Sequence, residues 1–560
     1  MCDTSLYLSC KLMRVSDLDT KFPFVQGARF NPEKGCLPAT RVKFLDAITN
    51  WVNDVDPSSS KALVLFGQAG TGKSSIAHEI AHRFHRTGRL TTSYCFVRGK
   101  PSSREPYRFF TTLAHNLCAR YPAFRASLCS IIKNNPDVLA AEDYTTLLNS
   151  LILEPLKDLQ FVSPVIVVID ALDESEDASL HTGGKKIPFH TFLGQHLFQF
   201  PPNFCILITS RPETDILMAL AQSSFVHHMY MNDPKLAGEI DNDILLYMQK
   251  NLHKAKVDDA SLRELVKKAE HLFQWASVAC HYITDPPRGL NSQHCIQRLL
   301  HPTDSKKAAR PLDAVYTTVL EKFDMDDEDV RNNFRSVMGQ ILGAFEPLSI
   351  DALDMLCGLS VFGGVDSKTS VCDIVKEMGS LLSNVSPSSS SLVAPVHTSF
   401  RDFLVDSNRS GKFYVDLDIA HGQLAYATLR TMQTMLHFNI CEIETSHCLN
   451  NEVPDLDNRI KAFIPSALSY ACRFWADHLG HVSDFDVELF SCLRDLMEVK
   501  FLFWLEVLSI RGEMPIATTA LLSLETWLSR MKLGDNVSTA MTMFPCLQVH
   551  WCWNRFRTTE

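Results

Sequence analysis

The sequence predicts an α/β fold in its first half, with a parallel sheet covered by helices, followed by mainly α-helical units. Four strongly apolar runs before residue 230 alternate with segments of helical periodicity, which is typical of a parallel sheet. Beyond residue 231 the strand signal fades and amphipathic helices dominate. The length of 560 residues exceeds what one hydrophobic core organises, so several units are expected.

Each strand prediction rests on a short run of mainly apolar or β-branched residues, as expected where helices cover both faces of a sheet. The predicted strands cover residues 62–66, 91–97, 165–169 and 204–209. Between the first two, apolar side chains at helical spacing predict a helix over 74–84.

The domain boundaries follow from these changes of pattern. We expect an irregular lead over 1–35, the sheet-containing core over 36–230, a small helical unit over 231–310, a winged-helix-like unit over 311–409, a C-terminal helical unit over 410–535, and an unassigned tail over 536–560. Within 311–409, Ser349 is expected to cap the helix that begins near Ile350, and a hairpin is expected around LVAPVH. The polar run SPSSSS before it predicts an exposed loop.

Composition excludes several classes of protein. A formal charge of -10 and a pI near 6.1 argue against nucleic acid as the main partner. The 17 cysteines form no C-x-x-C pair, which excludes the usual zinc spacings and a disulfide framework, so reduced, buried thiols are expected. The N-terminus shows no signal-peptide pattern and no run of eighteen apolar residues occurs, so we expect a cytoplasmic protein without a membrane span.

The segment GQAGTGKS matches the phosphate-binding pattern G-x-x-x-x-G-K-[ST]. Its glycines let backbone N–H groups converge on phosphate oxygens at the positive end of the following helix. Lys73 is expected to neutralise the β- and γ-phosphates and Ser74 to offer its hydroxyl to Mg²⁺. A chance match in a glycine-rich turn is disfavoured, because an apolar strand precedes the loop and an amphipathic helix follows. The expected nucleotide contacts are Gly67, Gln68, Ala69, Gly70, Thr71, Gly72, Lys73, Ser74 and Ser75.

Acidic residues and an arginine follow two later strands. Asp170 ends the run VIVVID, and a carboxylate at the tip of a neighbouring buried strand can hold Mg²⁺ beside the phosphates. Asp173 and Glu174 follow, and one of them is expected to polarise the attacking water as general base; the alternative is a solvated acidic loop. Arg211 follows the strand FCILIT, where it could reach the γ-phosphate or could be a surface arginine that caps the strand.

The histidines give no pattern of ligands. His397, in VHTSFRDFL, is by its pattern more typical of a packed or capping histidine than of a ligand. The pair His227/His228 and the remaining histidines lack ligand-like companions along the sequence, so they are expected to be structural.

The segments GQAGTGKSS, VIVVIDALDE and ILITSRPE, in that order, resemble a NACHT-type STAND NTPase of the fungal NACHT and nephrocystin-like set. The resemblance extends to CLPATR, LFQWASVACHYI, LDAVYTTVLEKF, EPLSIDALDMLCGL and NRIKAFIPSALSYACRFWADHL, and it covers residues 25–535. It implies a P-loop NTPase core that binds ATP or ADP with Mg²⁺.

The resemblance also implies roles for single residues. Asp170 and Asp173 match the magnesium-linked acid and the second acid of the family, and Arg211 matches its sensor arginine. His397 resembles the winged-helix histidine that touches the ADP β-phosphate, and residues 36–41 lie where relatives line the adenine pocket.

The function implied by the resemblance is a signalling switch. ADP would hold the NTPase and winged-helix units together, and ATP would release them for self-association or for a partner signalling protein, with slow hydrolysis. Fungal non-self recognition or vegetative incompatibility would be the biological setting. Relatives commonly carry an N-terminal effector domain and C-terminal sensor repeats; neither is recognised here, which indicates a truncated product or a sensor supplied by another chain.

Other functions compete with the switch. A nucleotide-binding scaffold or adaptor without significant turnover is the main alternative. A turnover ATPase or motor is disfavoured because no second NTPase core is recognised, and a GTPase because no N-K-x-D motif occurs. A DNA-binding winged helix is rejected because its helix VCDIVKEMGSLL offers one lysine between two acids.

Overall fold

The computed structural model describes residues 28–531, except for 55–61, 98–104, 142, 158, 160, 162, 176–186, 222–224, 287–288, 302–309, 360–370, 384–391, 446–448 and 484–486. Most of the lead over 1–35, the SPSSSS run and the tail over 536–560 therefore lie outside the described residues. The chain divides into two compact units, residues 1–284 with 292–301 and residues 285–291 with 302–560.

The first unit is built on a five-stranded parallel sheet, as the sequence predicts. The strands are β1 (Ala62–Phe66), β2 (Leu90–Cys95), β3 (Val165–Asp170), β4 (Phe204–Ser210) and β5 (Val226–Tyr230). Their order across the sheet is β2-β3-β4-β1-β5. The first four agree with the predicted strands to within two residues at each end.

The strand order corrects one expectation and adds one strand. Strand β3, which ends in Asp170, does not neighbour β1, because β4 pairs with both and lies between them. Strand β5 was missed: its sequence VHHMY places two histidines in the middle, and it pairs with the described sheet only along β1. Its residues are partly exposed, so the apolar signal of a buried strand is absent.

Helices cover both faces of the sheet. Alternate strand residues pack on opposite faces: Leu63 and Leu65 belong to one core cluster, and Val64 and Phe66 to another. The helices of this unit are α1 (Val42–Asn53), α2 (Lys73–Arg86), α3 (Tyr107–Arg120), α4 (Pro122–Asn134), α5 (in three segments, Tyr144–Thr146, Leu147–Leu153 and Glu154–Leu156), α6 (Phe189–His196), α7 (Thr214–Ala221), α8 (Ala237–Leu252), α9 (Asp259–Lys268), α10 (Phe273–Thr284) and α11 (Ser292–Leu300).

The predicted helical stretch SLRELVKKAEHLFQWASVACHYI is divided into α9 and α10. Glu270 and His271 between them have φ angles of 45° and 65°. A right-handed helix cannot continue through two successive residues in the left-handed region, so the chain turns there. This break places the start of α10 at Phe273.

The contact between α6 and α7 depends on a glycine. A Cβ built on Gly194 would lie 2.2 Å from the carbonyl oxygen of Ala219. We expect Gly194→Ala to lower the free energy of unfolding by about 2–3 kcal/mol, because the two helices must separate to admit the methyl group. Denaturant unfolding measures the change. The matched control is Gly238→Ala in α8, whose Cβ meets nothing within 4 Å; equal loss in both variants would contradict the close-packing explanation.

The second unit is mainly helical, as predicted. Its helices are α12 (Pro311–Leu320), α13 (Glu328–Gly343), α14 (Ile350–Leu359), α15 (Val371–Glu377), α16 (Thr398–Leu404), α17 (Ser407–Ser410), α18 (Leu417–Met435), α19 (Leu456–Phe463), α20 (Ser466–Gly480), α21 (Val487–Asp495), α22 (Phe501–Ile510) and α23 (Pro515–Arg530). Helices α18 and α20–α23 enclose one apolar core with Trp475, Trp504 and Trp527 at its centre.

A small antiparallel sheet interrupts these helices. Its strands are β6 (Leu348–Ser349), β7 (Leu382–Ser383) and β8 (Leu392–Pro395), in the order β6-β8-β7. Strand β8 carries the LVAP of the predicted hairpin and pairs with β7. Ser349 Oγ accepts the N–H of Ala352 at 3.2 Å, which is the capping bond predicted for α14.

Two further expectations concern thiols and membranes. None of the twelve cysteines whose redox form the described residues show is in a disulfide, and most of them are buried. Among the helices of the described residues, none combines the length and the apolar character that crossing a bilayer requires.

Candidate functional site

The loop between β1 and α2 has the shape that the GQAGTGKS pattern predicts. Gly70 and Gly72 adopt φ angles of 82° and 94°, which side chains disfavour. Gly67 is also needed for space, since a Cβ there would lie 2.7 Å from side-chain atoms of Met231 and Thr71. The loop therefore turns tightly into the N-terminus of α2, where backbone N–H groups favour an anion.

Lys73 is folded over this loop. Its Nζ donates to the carbonyl oxygens of Gly67 at 2.7 Å and Gln68 at 3.2 Å. Burial lowers the pKa of Lys73, while the Asp173 carboxylate acts in the opposite direction. Ser74 follows in the first turn of α2 and is exposed. The ammonium is thus held at the position from which a lysine of this motif reaches phosphate oxygens.

Asp170 is buried at the end of β3, with 3% of its surface exposed. Its Oδ1 accepts a hydrogen bond from the Thr209 hydroxyl at 2.5 Å, and the Thr209 oxygen accepts the Ala171 N–H at 3.0 Å. Because the Thr209 oxygen already receives a proton from Ala171, its own proton points to Asp170. The carboxylate therefore acts as an acceptor, as an ionised group does.

Asp173 contacts Arg211 through both of its carboxylate oxygens, one at the side chain and one at the backbone. Asp173 Oδ2 lies 3.0 Å from Arg211 Nε, and Asp173 Oδ1 accepts the Arg211 backbone N–H at 3.0 Å. The side chain of Asp173 is 3% exposed and that of Arg211 is 18% exposed. Glu174 is 9% exposed. Asp173 and Glu174 are therefore more buried than a solvated acidic loop would make them, and the Arg211 side chain is mostly covered.

Sequence reasoning missed the supports behind the loop. Arg41, 4% exposed, donates from Nη2 to the Thr71 carbonyl at 2.5 Å, and its backbone N–H donates to Asp243 at 2.9 Å. Its guanidinium stacks on Phe273, with 4.4 Å from Cζ to the ring centroid. The backbone N–H of Gln274 donates to the Gly70 carbonyl at 3.0 Å. The start of α1, together with α8 and α10, thereby fixes the outer side of the loop.

The expected site residues of the first unit are brought together at one edge of the sheet. Asp173, Arg211, Asp170 and Glu174 all act electrostatically on Lys73. Parallel strands end at the same edge, so residues after β1, β3 and β4 meet there although they are distant in sequence. Thr209 was not singled out, although its place at the end of FCILIT, beside the strand of Asp170, was the available signal.

His397 belongs to the second unit and caps α16. Its Nδ1 accepts the Ser399 N–H at 3.1 Å and lies 2.7 Å from Ser399 Oγ. The Ser399 hydroxyl also bonds to Tyr316 at 2.7 Å. The capping role, one of the two alternatives open from the sequence, is thus present in the structure.

Known proteins are similar to this site and its surroundings. Residues 41–211 match the family described as nephrocystin 3, N-terminal. The vegetative incompatibility protein HET-E-1 of Podospora anserina is 25% identical over 317 residues, which cover 53% of this chain. The chain spans only 22% of the length of that relative.

A solved structure also aligns with the chain. It is the crystal structure of a signal transduction ATPase with numerous domains, of the STAND class and with a tetratricopeptide repeat sensor, from Pyrococcus horikoshii. The alignment covers 91% of this chain and 70% of that chain, with 12% identity and a TM-score of 0.37. The family match over 41–211 and the HET-E-1 alignment agree with the loop and acidic residues described above, and they support the resemblance of this chain to NACHT-type STAND NTPases.

Proposed function

We propose that the protein is an ATP- and ADP-binding signalling switch with slow, Mg²⁺-dependent hydrolysis. The grouping of Lys73 with Asp170, Asp173 and Arg211 at the mouth of the loop carries this proposal. A cationic loop and helix end suit a polyphosphate, and the carboxylates beside it suit its metal ion. The similarity to a vegetative incompatibility protein supports a role in non-self recognition, with self-association or a partner protein as the output.

The oxygen groups at the loop fit Mg²⁺. The Asp170 carboxylate and the Ser74 hydroxyl are hard oxygen donors, which Mg²⁺ prefers. The hydrogen bond from the Thr209 hydroxyl at 2.5 Å fixes the orientation of the Asp170 carboxylate. When bound, Mg²⁺ would neutralise charge on the β- and γ-phosphate oxygens. Lys73 and the loop N–H groups would orient those oxygens.

The pair of Asp173 and Arg211 supports slow hydrolysis. Both oxygens of Asp173 accept hydrogen bonds from Arg211, so Asp173 is a poor base while the pair is intact. We assign it the role of positioning Arg211 toward the γ-phosphate and give Glu174 the general-base role. Turnover is expected to stay below about 1 s⁻¹, a low value for an enzyme. The same pair favours the alternative of a nucleotide-binding scaffold with no significant turnover.

The identity of the nucleotide retained on the purified chain tests the switch directly. The protein is denatured and the released nucleotide is separated by chromatography. ADP at close to one equivalent supports a closed switch that holds its product. Retained ADP without measurable hydrolysis of added ATP selects the scaffold, and no binding of either nucleotide rejects both.

The cap at His397 suggests how this histidine would take part. Because Nδ1 accepts the Ser399 N–H, the neutral ring carries its proton on Nε2. An N–H donor of this kind suits the ADP β-phosphate, which is the contact we propose for His397. ATP binding would break this contact and release the winged-helix unit.

Substitution of His397 separates capping from nucleotide contact. We expect His397→Asn to raise the ADP release rate about 10-fold, the value of one hydrogen bond to a charged group, because asparagine keeps the cap but loses the Nε2–H donor. Release of a fluorescent ADP analogue measures the rate. His397→Ala, which loses both, is the comparison. Release at the wild-type rate in His397→Asn and faster release in His397→Ala alone would assign His397 to capping only.

A further inference from the structure

A buried group of three different side chains lies behind the Asp170 carboxylate. His78, Cys95 and Asp170 are 6%, 6% and 3% exposed. One ring nitrogen of His78, the Cys95 sulfur and one Asp170 oxygen all lie within 4.8 Å of one another. The ion pair of Asp173 and Arg211 beside the loop is not part of this group.

The fold explains why these residues meet. Cys95 and Asp170 are opposite each other in the parallel register of β2 and β3. Asp170 lies two residues beyond Val168, so both point to the face that α2 covers. His78 lies on α2 about one and a half turns beyond Lys73. The three residues are therefore brought together by strand register and helix packing. No short spacing of cysteines or histidines in the sequence predicts this group.

The donor set selects a particular class of cation. Zn²⁺ is bound in proteins by thiolate, imidazole and carboxylate, whereas Mg²⁺ prefers oxygen ligands alone. Tetrahedral ligands at about 2.0–2.3 Å from the metal are about 3.3–3.8 Å apart. Binding therefore requires the three ligand atoms, which lie within 4.8 Å of one another, to move closer together. We propose that His78, Cys95 and Asp170 bind Zn²⁺, with water as the fourth ligand.

The local charges agree with a divalent cation. The Cys95 thiol would release its proton to solvent on binding, and the resulting thiolate and the Asp170 carboxylate together balance the two charges of Zn²⁺. Burial and the Asp170 carboxylate raise the pKa of the Cys95 thiol, so the thiol keeps its proton until a metal ion binds.

One existing hydrogen bond opposes binding. The Asn31 N–H donates to His78 Nδ1 at 3.3 Å. Ligation through Nε2 requires the ring proton on Nδ1, so this bond would be lost. It is long for a hydrogen bond, and Asn31 is only partly buried, so solvent can replace His78 as the acceptor. Three metal–ligand bonds outweigh this loss.

Zinc at this position would have a functional consequence, which rests on the proposed nucleotide site. Asp170 is the carboxylate proposed for Mg²⁺. A carboxylate drawn toward the thiol side by Zn²⁺ is less available to Mg²⁺ on the phosphate side. The group would therefore act as an inhibitory zinc site that weakens binding of Mg·nucleotide.

Binding of Co²⁺ and Zn²⁺ to the full chain tests the site without nucleotide. The purified protein is stripped with EDTA, freed of the chelator and titrated with Co²⁺. We expect a thiolate-to-Co²⁺ charge-transfer absorption that saturates at about one equivalent and disappears when Zn²⁺ is added, because both ions favour this ligand set. The absence of a thiolate band in wild-type protein would overturn the proposal.

Matched variants locate the metal. Cys95→Ser and His78→Gln are each expected to remove the band, whereas Cys118→Ser, which changes a buried cysteine of α3 outside the group, is expected to keep it. Circular dichroism without metal establishes that each variant is folded. Should Cys95→Ser fail to fold, His78→Gln decides, since it leaves the thiol in place. A band retained in His78→Gln would place the metal elsewhere and reject the site.

A second measurement separates this proposal from the nucleotide switch. Zn²⁺ is expected to weaken Mg·ADP binding in wild-type protein and in Cys118→Ser, but not in Cys95→Ser. Zinc binding without any nucleotide binding would reject the proposed function and keep the site. Nucleotide binding that Zn²⁺ leaves unchanged, in protein with the Co²⁺ band, would reject only the inhibitory role.

Discussion

Lys73→Met is expected to weaken binding of Mg·ATP at least about 30-fold, which corresponds to about 2 kcal/mol for a hydrogen bond to a charged group. The Lys73 ammonium is already positioned over the loop by the Gly67 carbonyl at 2.7 Å, so binding needs little reorganisation. Methionine fills a similar volume without charge or donor. Isothermal titration calorimetry of the variant and the wild type measures the difference.

Lys43→Met is the matched control for this substitution. Its side chain is 64% exposed and pairs with Glu239 on the surface of the same unit. Exposed pairs contribute little, so the control is expected to keep both stability and nucleotide affinity. If Lys73→Met bound Mg·ATP as well as the control does, the loop would not be a nucleotide site, and the reading of the chain as a switch would be abandoned.

The second large effect concerns acid stability of the second unit. His421 Nδ1 and His478 Nδ1 face each other at 2.9 Å, and the Tyr470 hydroxyl lies 2.6 Å from His478 Nε2. Burial lowers the pKa of His421 to about 4, assisted by His481 and Arg401. Burial also lowers the pKa of His478 well below its usual value. Only one of the two facing nitrogens can carry a proton, so the ring that accepts this hydrogen bond is neutral.

The sign of the pH dependence follows from these lowered pKa values. An unfolded chain protonates His421 near pH 6.5, while the folded chain does so only near pH 4. The contribution is therefore complete above pH 6.5 and is lost as the pH falls toward 4. For His421 it amounts to at most about 3 kcal/mol, and His478 acts in the same direction. Denaturant unfolding between pH 7 and pH 4 measures the loss.

His421→Phe isolates the contribution of the pair. We expect the variant to be less stable at pH 7, because His478 loses a hydrogen-bond partner, yet to lose less stability on acidification. His437→Phe changes an exposed histidine of the same unit and is expected to retain the wild-type pH slope. An identical slope in wild type and His421→Phe would show that the buried pair does not titrate in this range.

The fold of the first unit follows largely from the sequence because its signals are local. The four apolar runs and the GQAGTGKS loop can be recognised without knowledge of any long-range contact. The helix after the loop begins at Lys73, within one residue of the prediction. Strand β3 ends at Asp170, where the sequence places a carboxylate, and this carboxylate is buried. Residues that follow strands were therefore found as candidates.

The remaining features depend on pairing that a single sequence does not encode locally. The insertion of β4 between β1 and β3 is a matter of strand order, and it decides that Arg211 meets Asp173. The group of His78, Cys95 and Asp170 joins two strands and a helix, so each member was read as structural or as part of another site. Strand β5 lacks the continuous apolar run of the other strands because it is partly exposed.

The hydrogen bond from Arg41 to the Thr71 carbonyl restricts the conformation of the phosphate-binding loop before any ligand binds. A glycine-rich segment costs much entropy to order, about 1–2 kcal/mol for each residue fixed. Here the hydrogen bonds from Arg41 and Gln274 order the loop when the chain folds. The entropy cost of ordering the loop therefore does not reduce the affinity for an anion that binds later. Conversely, a displacement of α8 or α10 would increase the flexibility of the phosphate-binding loop. The affinity for phosphate would then fall although the groups that contact the phosphate are unchanged.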